Sequence, residues 1–181
     1  LEIPSPEELD LPSSILKFSK ESKGLILING EAGSGKTTTI ASLLCQIVAE
    51  EAKNVITVEN PVEYLLPHGI GMISQREVGS DTKTFAEAVK AAIRQDADVL
   101  YIGELSDTDT IFEALNFAEA GHLVFASMCT AGTEDTLHRL IDLFPEERRS
   151  QIRVQLAGVL KGIVTQQLLP RSDVEARSAV F

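Results

Sequence analysis

The stretch GLILINGEAGSGKTTT, residues 24–39, decides how this chain folds. Its first half, GLILING, is a short continuous apolar run closed by glycine, which suits a strand buried in a parallel sheet. Its second half, GEAGSGKT (30–37), has the form G-x-x-x-x-G-K-[ST] between a strand and a helix, and so predicts a phosphate-binding loop. Gly30, Gly33 and Gly35 let the backbone wrap a phosphate and aim several N–H groups inward. The helix opening near Lys36 adds the positive end of its dipole. Lys36 would set a mobile charge over the β- and γ-phosphates, and Thr37 would offer a hydroxyl to Mg²⁺. The expected nucleotide-binding set is therefore Gly30, Glu31, Ala32, Gly33, Ser34, Gly35, Lys36, Thr37 and Thr38, with Thr37 also a metal ligand. Such a loop implies a nucleoside triphosphate but chooses no reaction.

Working outward, the residues after the loop place Ile40, Leu43, Leu44, Ile47 and Val48 on one helical face. VITVEN (55–60), DVLYIGE (98–104) and HLVFASM (122–128) repeat the buried-strand pattern. Residues 62–78 carry a Pro-His-Gly turn between two extended runs and predict a hairpin. Phe85, Ala88, Val89, Ala92 and Ile93 define an amphipathic helix over 84–96, and further helices are expected over 108–121, 133–144 and 146–160. Residues 163–169 and 176–181 are terminal strand candidates. Strands alternating with helices predict an α/β fold, a mostly parallel sheet flanked by helices. Residues 1–23 carry three prolines and little periodicity apart from a short helix, Ser14 to Ser22. They are expected to be a leader or linker, with residues 24–181 forming the core domain.

The 181 residues carry 16 Lys+Arg against 27 Asp+Glu, a net charge of −11. That balance disfavours nucleic acid and anionic membrane surfaces, whose binding draws on phosphate neutralisation. No uncharged apolar run reaches the ~18–20 residues that a bilayer span needs, so no direct membrane insertion is expected. Cys45 and Cys129 are the only cysteines, too few for a disulfide framework, and point to a reducing, cytoplasmic compartment.

In open α/β sheets the reactive crevice lies beyond the carboxyl ends of the strands. There the second strand delivers Glu59, Asn60 and Glu63, the next Glu104 and Asp107, and the fourth Ser127, Cys129 and Thr130. Hydrolysis needs one carboxylate to orient or deprotonate a water and another to hold Mg²⁺. Glu104 is the first choice for both catalysis and metal, and Glu63 and Glu59 are further catalytic candidates. A helix cap or a solvated acid is the bland alternative for Glu104, and an ordinary exposed glutamate for Glu63 and Glu59.

Taken jointly, these segments resemble the secretion/pilus motor ATPases of the type II secretion and type IV pilus group. GEAGSGKT (30–37) matches that family's Walker A box. VENPVEY (58–64) sits on its Asp box, LYIGELSD (100–107) on its Walker B box, and AGHLVFASMCT (120–130) on its Thr-Gly-His-Leu-Val segment and His box. QREVGSDTKTFAEAVKAAIRQDADV (75–99) and RLIDLFP (139–145) look closest to the pilus-retraction, or twitching-motility, branch. The resemblance implies a RecA-like P-loop NTPase fold and ATP with Mg²⁺ as cofactors. It also implies a homo-hexamer in the full-length parent, driving a pilus or secretion platform at the inner membrane. By the same resemblance, an N-terminal domain would precede residue 1 and further helices would follow Phe181. The chain alone is therefore expected to be a monomer or weak oligomer with poor turnover.

Three positions depart from the family pattern: Asn60 stands at its Asp, Ser106 at its Arg and Cys129 at its His. Asn loses a charge, Ser cannot pair bidentately with a carboxylate, and Cys cannot act as an imidazolium. The leading expectation is a mechanochemical ATPase; the alternative is a weakly hydrolysing, nucleotide-binding regulatory paralogue. A nucleic-acid motor is disfavoured by charge and by the lack of a basic stripe. A small-molecule kinase is disfavoured because Arg139 is the only arginine between Thr108 and Arg148.

Overall fold

The computed structural model describes residues 3–170 and 177–181; residues 1–2 of the expected leader and 171–176 of the expected core, including the first residue of the last strand candidate, lie outside the described residues. Six strands form one all-parallel sheet in the order β3-β2-β4-β5-β1-β6. They are β1 (Gly24–Asn29), β2 (Asn54–Glu59), β3 (Met72–Glu77), β4 (Val99–Ile102), β5 (Leu123–Met128) and β6 (Leu160–Thr165). A separate antiparallel pair, β7 (Gln167–Pro170) and β8 (Arg177–Val180), follows β6.

Alternation along each strand explains the two faces. Leu25 and Leu27 of β1 join a core with Ile56, Val58, Leu100 and Ile102, roofed by α3 (Phe85–Ile93), α4 (Thr108–Glu119), α5 (Thr133–Asp142) and α6 (Glu146–Val159). Ile26 and Ile28 face the other way, onto α2 (Lys36–Glu50) and α1 (Ser13–Leu16), with Val55, Tyr101 and Phe125. Burial on both faces is why these strands read as unbroken apolar runs. Leu11 and Ile15 of the expected leader are buried in this second core, so residues 3–23 pack onto α2.

The hairpin expected over 62–78 is absent. Only Met72–Glu77 forms a strand, and it pairs parallel to β2, Asn54 opposite Met72 and Glu59 opposite Glu77. Residues 60–71 instead return across the carboxyl end of α2, where the Gly71 N–H donates to Val48 O at 2.8 Å. The chain thus re-enters the sheet at the end where β2 began, and parallel pairing is the only outcome. A Cβ on Gly69 would lie 2.4 Å from Val48 O, which is the steric reason for glycine in this turn. Arg149, on the first turn of α6, is half-buried. Its guanidinium donates to Phe144 O (2.9 Å) and Asp142 O (3.1 Å), satisfying carbonyls that the end of α5 leaves open.

Candidate functional site: a phosphate-loop cleft

A cleft of about 550 Å³ opens beyond the carboxyl ends of β1, β2, β4 and β5. One wall is the loop between β1 and α2. Gly30, Gly33 and Gly35 all take positive φ there, at +155°, +76° and +87°. A Cβ on Gly33 would meet nothing within 4 Å, so this turn of the loop borders open space. The ammonium of Lys36 donates to Gly30 O and Glu31 O, each at 2.8 Å, which tethers the lysine across its own loop. Ala32 to Thr38 all line the cleft, whereas Gly30 and Glu31 of the expected binding set do not. Ser34 is buried and its hydroxyl has no partner among the described residues.

The opposite wall is acidic. Glu59, Glu63 and Glu104 all line the cleft, and Lys36 is the one cation among the described lining residues. Three carboxylates against one ammonium repel a bare triphosphate, so an anionic ligand here calls for a divalent cation between the two. The donor set suits Mg²⁺, a hard ion that takes carboxylate, hydroxyl and phosphate oxygens. Thr37 and Glu63 meet at this point, the threonine hydroxyl donating to Glu63 Oε1 at 3.3 Å. Next to them the Thr38 hydroxyl pairs with Tyr64 Oη at 3.0 Å.

Glu59 is almost fully buried, at 4% exposure. It accepts from Thr57 Oγ1 at 2.5 Å and from Gln75 Nε2 at 3.1 Å. Burial pushes its carboxyl above the ordinary value; those two hydrogen bonds pull it back in part, and the Glu63 and Glu77 charges push it up again. Glu104, on the neighbouring strand end, is exposed. Tyr101 of β4 lies between them and the loop, its phenol pushed up to about 12, chiefly by burial. It therefore stays protonated, with its hydroxyl 3.5 Å from that of Ser127.

Of the other strand-end candidates, Ser127, Asn60 and Cys129 line the cleft, and the Cys129 thiol is exposed. Thr130 does not; it is buried and pairs with Thr136 Oγ1 at 2.6 Å. Asp107 is corrected from a cleft acid to the N-cap of α4, accepting from Thr110 N at 2.8 Å and Thr110 Oγ1 at 2.6 Å. Ser106 is exposed and outside the cleft wall. His122 packs its ring on Phe117, centroids 4.6 Å apart, as a structural histidine would.

Sequence reasoning passed over three residues that build the site: Tyr101, Gln75 and Gln166. Gln75 is the best satisfied of them, since it also donates to Tyr64 O at 2.8 Å and accepts from Leu66 N at 2.8 Å. The signal for Gln166 was present: it follows the apolar end of β6 as Glu104 follows that of β4. Leu168, two residues on, lines the cleft as well.

The pattern of the whole chain decides the family. The sequence model described as type II/IV secretion system protein matches residues 7–180. This chain belongs to that family. Among curated members, it is 37% identical to the twitching motility protein of Neisseria gonorrhoeae over 97% of this chain and 47% of that one. It is 38% identical to the type IV pilus ATPase PilU of Pseudomonas aeruginosa, over 99% of this chain and 47% of the relative. Among solved structures it superposes on the pilus retraction motor PilT with bound ADP at a TM-score of 0.94 and 44% identity, covering 98% of this chain and 52% of that one. The family's sheet, flanked by helices and carrying a phosphate loop, is the fold expected from residues 24–39. The chain spans about half the length of these relatives.

Proposed function

We propose that this chain is the ATP-binding core of a hexameric motor ATPase that couples hydrolysis to type IV pilus retraction. The observation that carries the reading is the meeting, in one cleft, of the Lys36–Thr38 loop end with the carboxylates of Glu59, Glu63 and Glu104. The likeness to the twitching-motility and retraction proteins supports the direction of work. In this reading the loop amides and Lys36 hold the phosphates, while Thr37 and Glu104 hold Mg²⁺, Glu63 lying beside Thr37. Bound Mg²⁺ supplies charge neutralisation at the terminal phosphates. Glu59, whose raised proton affinity suits a base, and Glu104, open to water, orient or deprotonate the attacking water. Tyr101 stays neutral, its hydroxyl paired with that of Ser127 within the wall.

The partners of the whole protein are, on this proposal, further copies of itself in a ring and the platform proteins of the inner membrane, reached from the cytoplasm. No helix among the described residues is long and apolar enough to cross a membrane.

A second reading is favoured by a specific observation: Asn60 and Cys129 line the same cleft, where the resemblance had implied Asp and His. It makes the protein a nucleotide-binding regulatory paralogue with weak hydrolysis. Single-turnover hydrolysis of Mg·ATP by the full-length protein, with Glu104→Gln as control, separates the two. A wild-type rate about 100-fold above the control supports the motor; a rate equal to the control supports the regulator.

A further inference from the structure

Gln166 stands at the break between β6 and β7 and is 1% exposed. Its backbone N–H donates to Asn29 O at 2.8 Å, at the last residue before the phosphate loop. Its side-chain amide reaches the middle of that loop, Nε2 donating to Ser34 O at 3.0 Å. A carbonyl oxygen can only accept, so this contact fixes which end of the amide faces the loop. The two glycines at the ends of the loop make room for this residue. A Cβ on Gly30 would lie 2.2 Å from Gln166 O, and one on Gly35 would lie 2.9 Å from Gln166 Nε2. These glycines thus serve the glutamine as well as the φ angles of the turn.

Among the described residues, the same junction leaves two buried polar atoms without partners, Gln166 Oε1 and Ser34 Oγ. Buried orphans of this kind are costly and few, and each is a place where a water, an ion or a ligand group can supply the missing partner. Beyond Gln166, Leu168 of β7 lines the cleft, and β7 pairs with β8, whose Val180 is exposed together with Leu169 and Phe181. One side-chain hydrogen bond and a short stretch of chain therefore link the phosphate loop to an exposed antiparallel pair.

We propose that Gln166 is a positioning residue that clamps the phosphate loop in its cradle shape and couples nucleotide occupancy to the β7–β8 pair. On this proposal a ligand that shifts the Ser34 peptide shifts the amide clamped to it, and with it residues 167–170 and their partners 177–180. The inference rests on the nucleotide-binding reading above. Gln166→Met keeps the shape and removes the donor, so it leaves the core filled.

The test measures Mg·ADP affinity by calorimetry and amide hydrogen exchange with and without saturating Mg·ADP, for wild type and Gln166→Met. In wild type, Mg·ADP is expected to slow exchange in 167–170 and 177–180. In Gln166→Met, affinity is expected to fall about tenfold, the scale of a lost buried hydrogen bond with its stranded carbonyl, and the change in the pair to vanish at saturation. A wild-type pair whose exchange ignores bound Mg·ADP overturns the proposal, and that arm stands even if the variant fails to fold. A variant that binds as wild type does, or binds weakly but keeps the exchange response at saturation, overturns it too. If wild type binds no Mg·ADP, the proposed function itself fails, which is a different result.

Discussion

Glu59 ends β2, Glu104 lies two residues past the end of the neighbouring parallel strand β4, and both line one cleft, yet their surroundings are opposite. Glu59 is sealed beneath Thr57 and Gln75 with its proton affinity raised by burial; Glu104 is open to water. The cause is one strand further out. β3 lies beside β2, away from β4, and brings Gln75 over Glu59, while β4 and β5 bring no such roof to Glu104. Two glutamates on one sheet edge thus acquire different chemistry from the strands beside them and from their place along the chain, one inside β2 and one past the end of β4. The difference also divides labour, a buried carboxylate tuned toward accepting a proton and an exposed one suited to a hydrated ion.

The contrast can be broken most forcefully from the loop side that both carboxylates face. Gly30→Ala drives a methyl group into Gln166 O, and backbone cannot yield as a side-chain tip does. A loss of about 3 kcal/mol in urea unfolding is expected, against about 1 kcal/mol for Gly33→Ala, whose methyl enters open space and pays only for φ. Equal losses would mean that Gln166 does not brace the loop.

Next in size is Gln75→Met, which strips donors from Glu59 and Tyr64 O and an acceptor from Leu66 N. A loss of about 2 kcal/mol is expected, along with a further rise in the proton affinity of Glu59, readable by carboxyl NMR titration. No change in that titration would remove Gln75 as the source of the contrast.

The sharpest comparison is Glu59→Gln beside Glu104→Gln. The folded state holds the Glu59 proton more tightly than the unfolded chain does, so this group costs stability at neutral pH and the cost fades as pH falls through its raised value. Glu59→Gln is therefore expected to raise the melting temperature at pH 7 and to flatten the acid side of the stability profile. It should also lower turnover about 100-fold. Glu104→Gln should leave stability within about 0.5 kcal/mol of wild type. A lower melting temperature for Glu59→Gln would mean that its hydrogen bonds outweigh its burial.

The smallest effect is expected from Tyr101→Phe. The phenol titrates near 12 in the folded protein and lower when unfolded, so wild type loses stability as pH climbs above 10. The phenylalanine variant should lose that alkaline slope and little else, about 1 kcal/mol at pH 7.

These particulars show what a linear reading reaches. The loop at 30–37 was legible because its chemistry is local: glycine torsions, a helix start and a lysine six residues from the carbonyl it caps. The strand-end rule found all three carboxylates for the same reason. It ranked Glu104 above Glu59 because burial of Glu59 depends on Gln75, and residues 62–78 had been read as a hairpin that would have placed Gln75 elsewhere. Tyr101 was missed because a polar group in a strand announces no partner until the sheet order is known, and Gln166 because nothing in the sequence puts the end of β6 beside β1. Asp107 misled because a strand-end acid and a helix cap share the same few letters of sequence.

The central claim is that this cleft takes up Mg·ATP through the loop ending in Lys36. Isothermal titration of Mg·ATP into wild type and Lys36→Ala tests it most directly. Saturable one-site binding by wild type, weakened at least about 100-fold in the variant, is the predicted result. Equal binding by both proteins, or none by wild type, contradicts it.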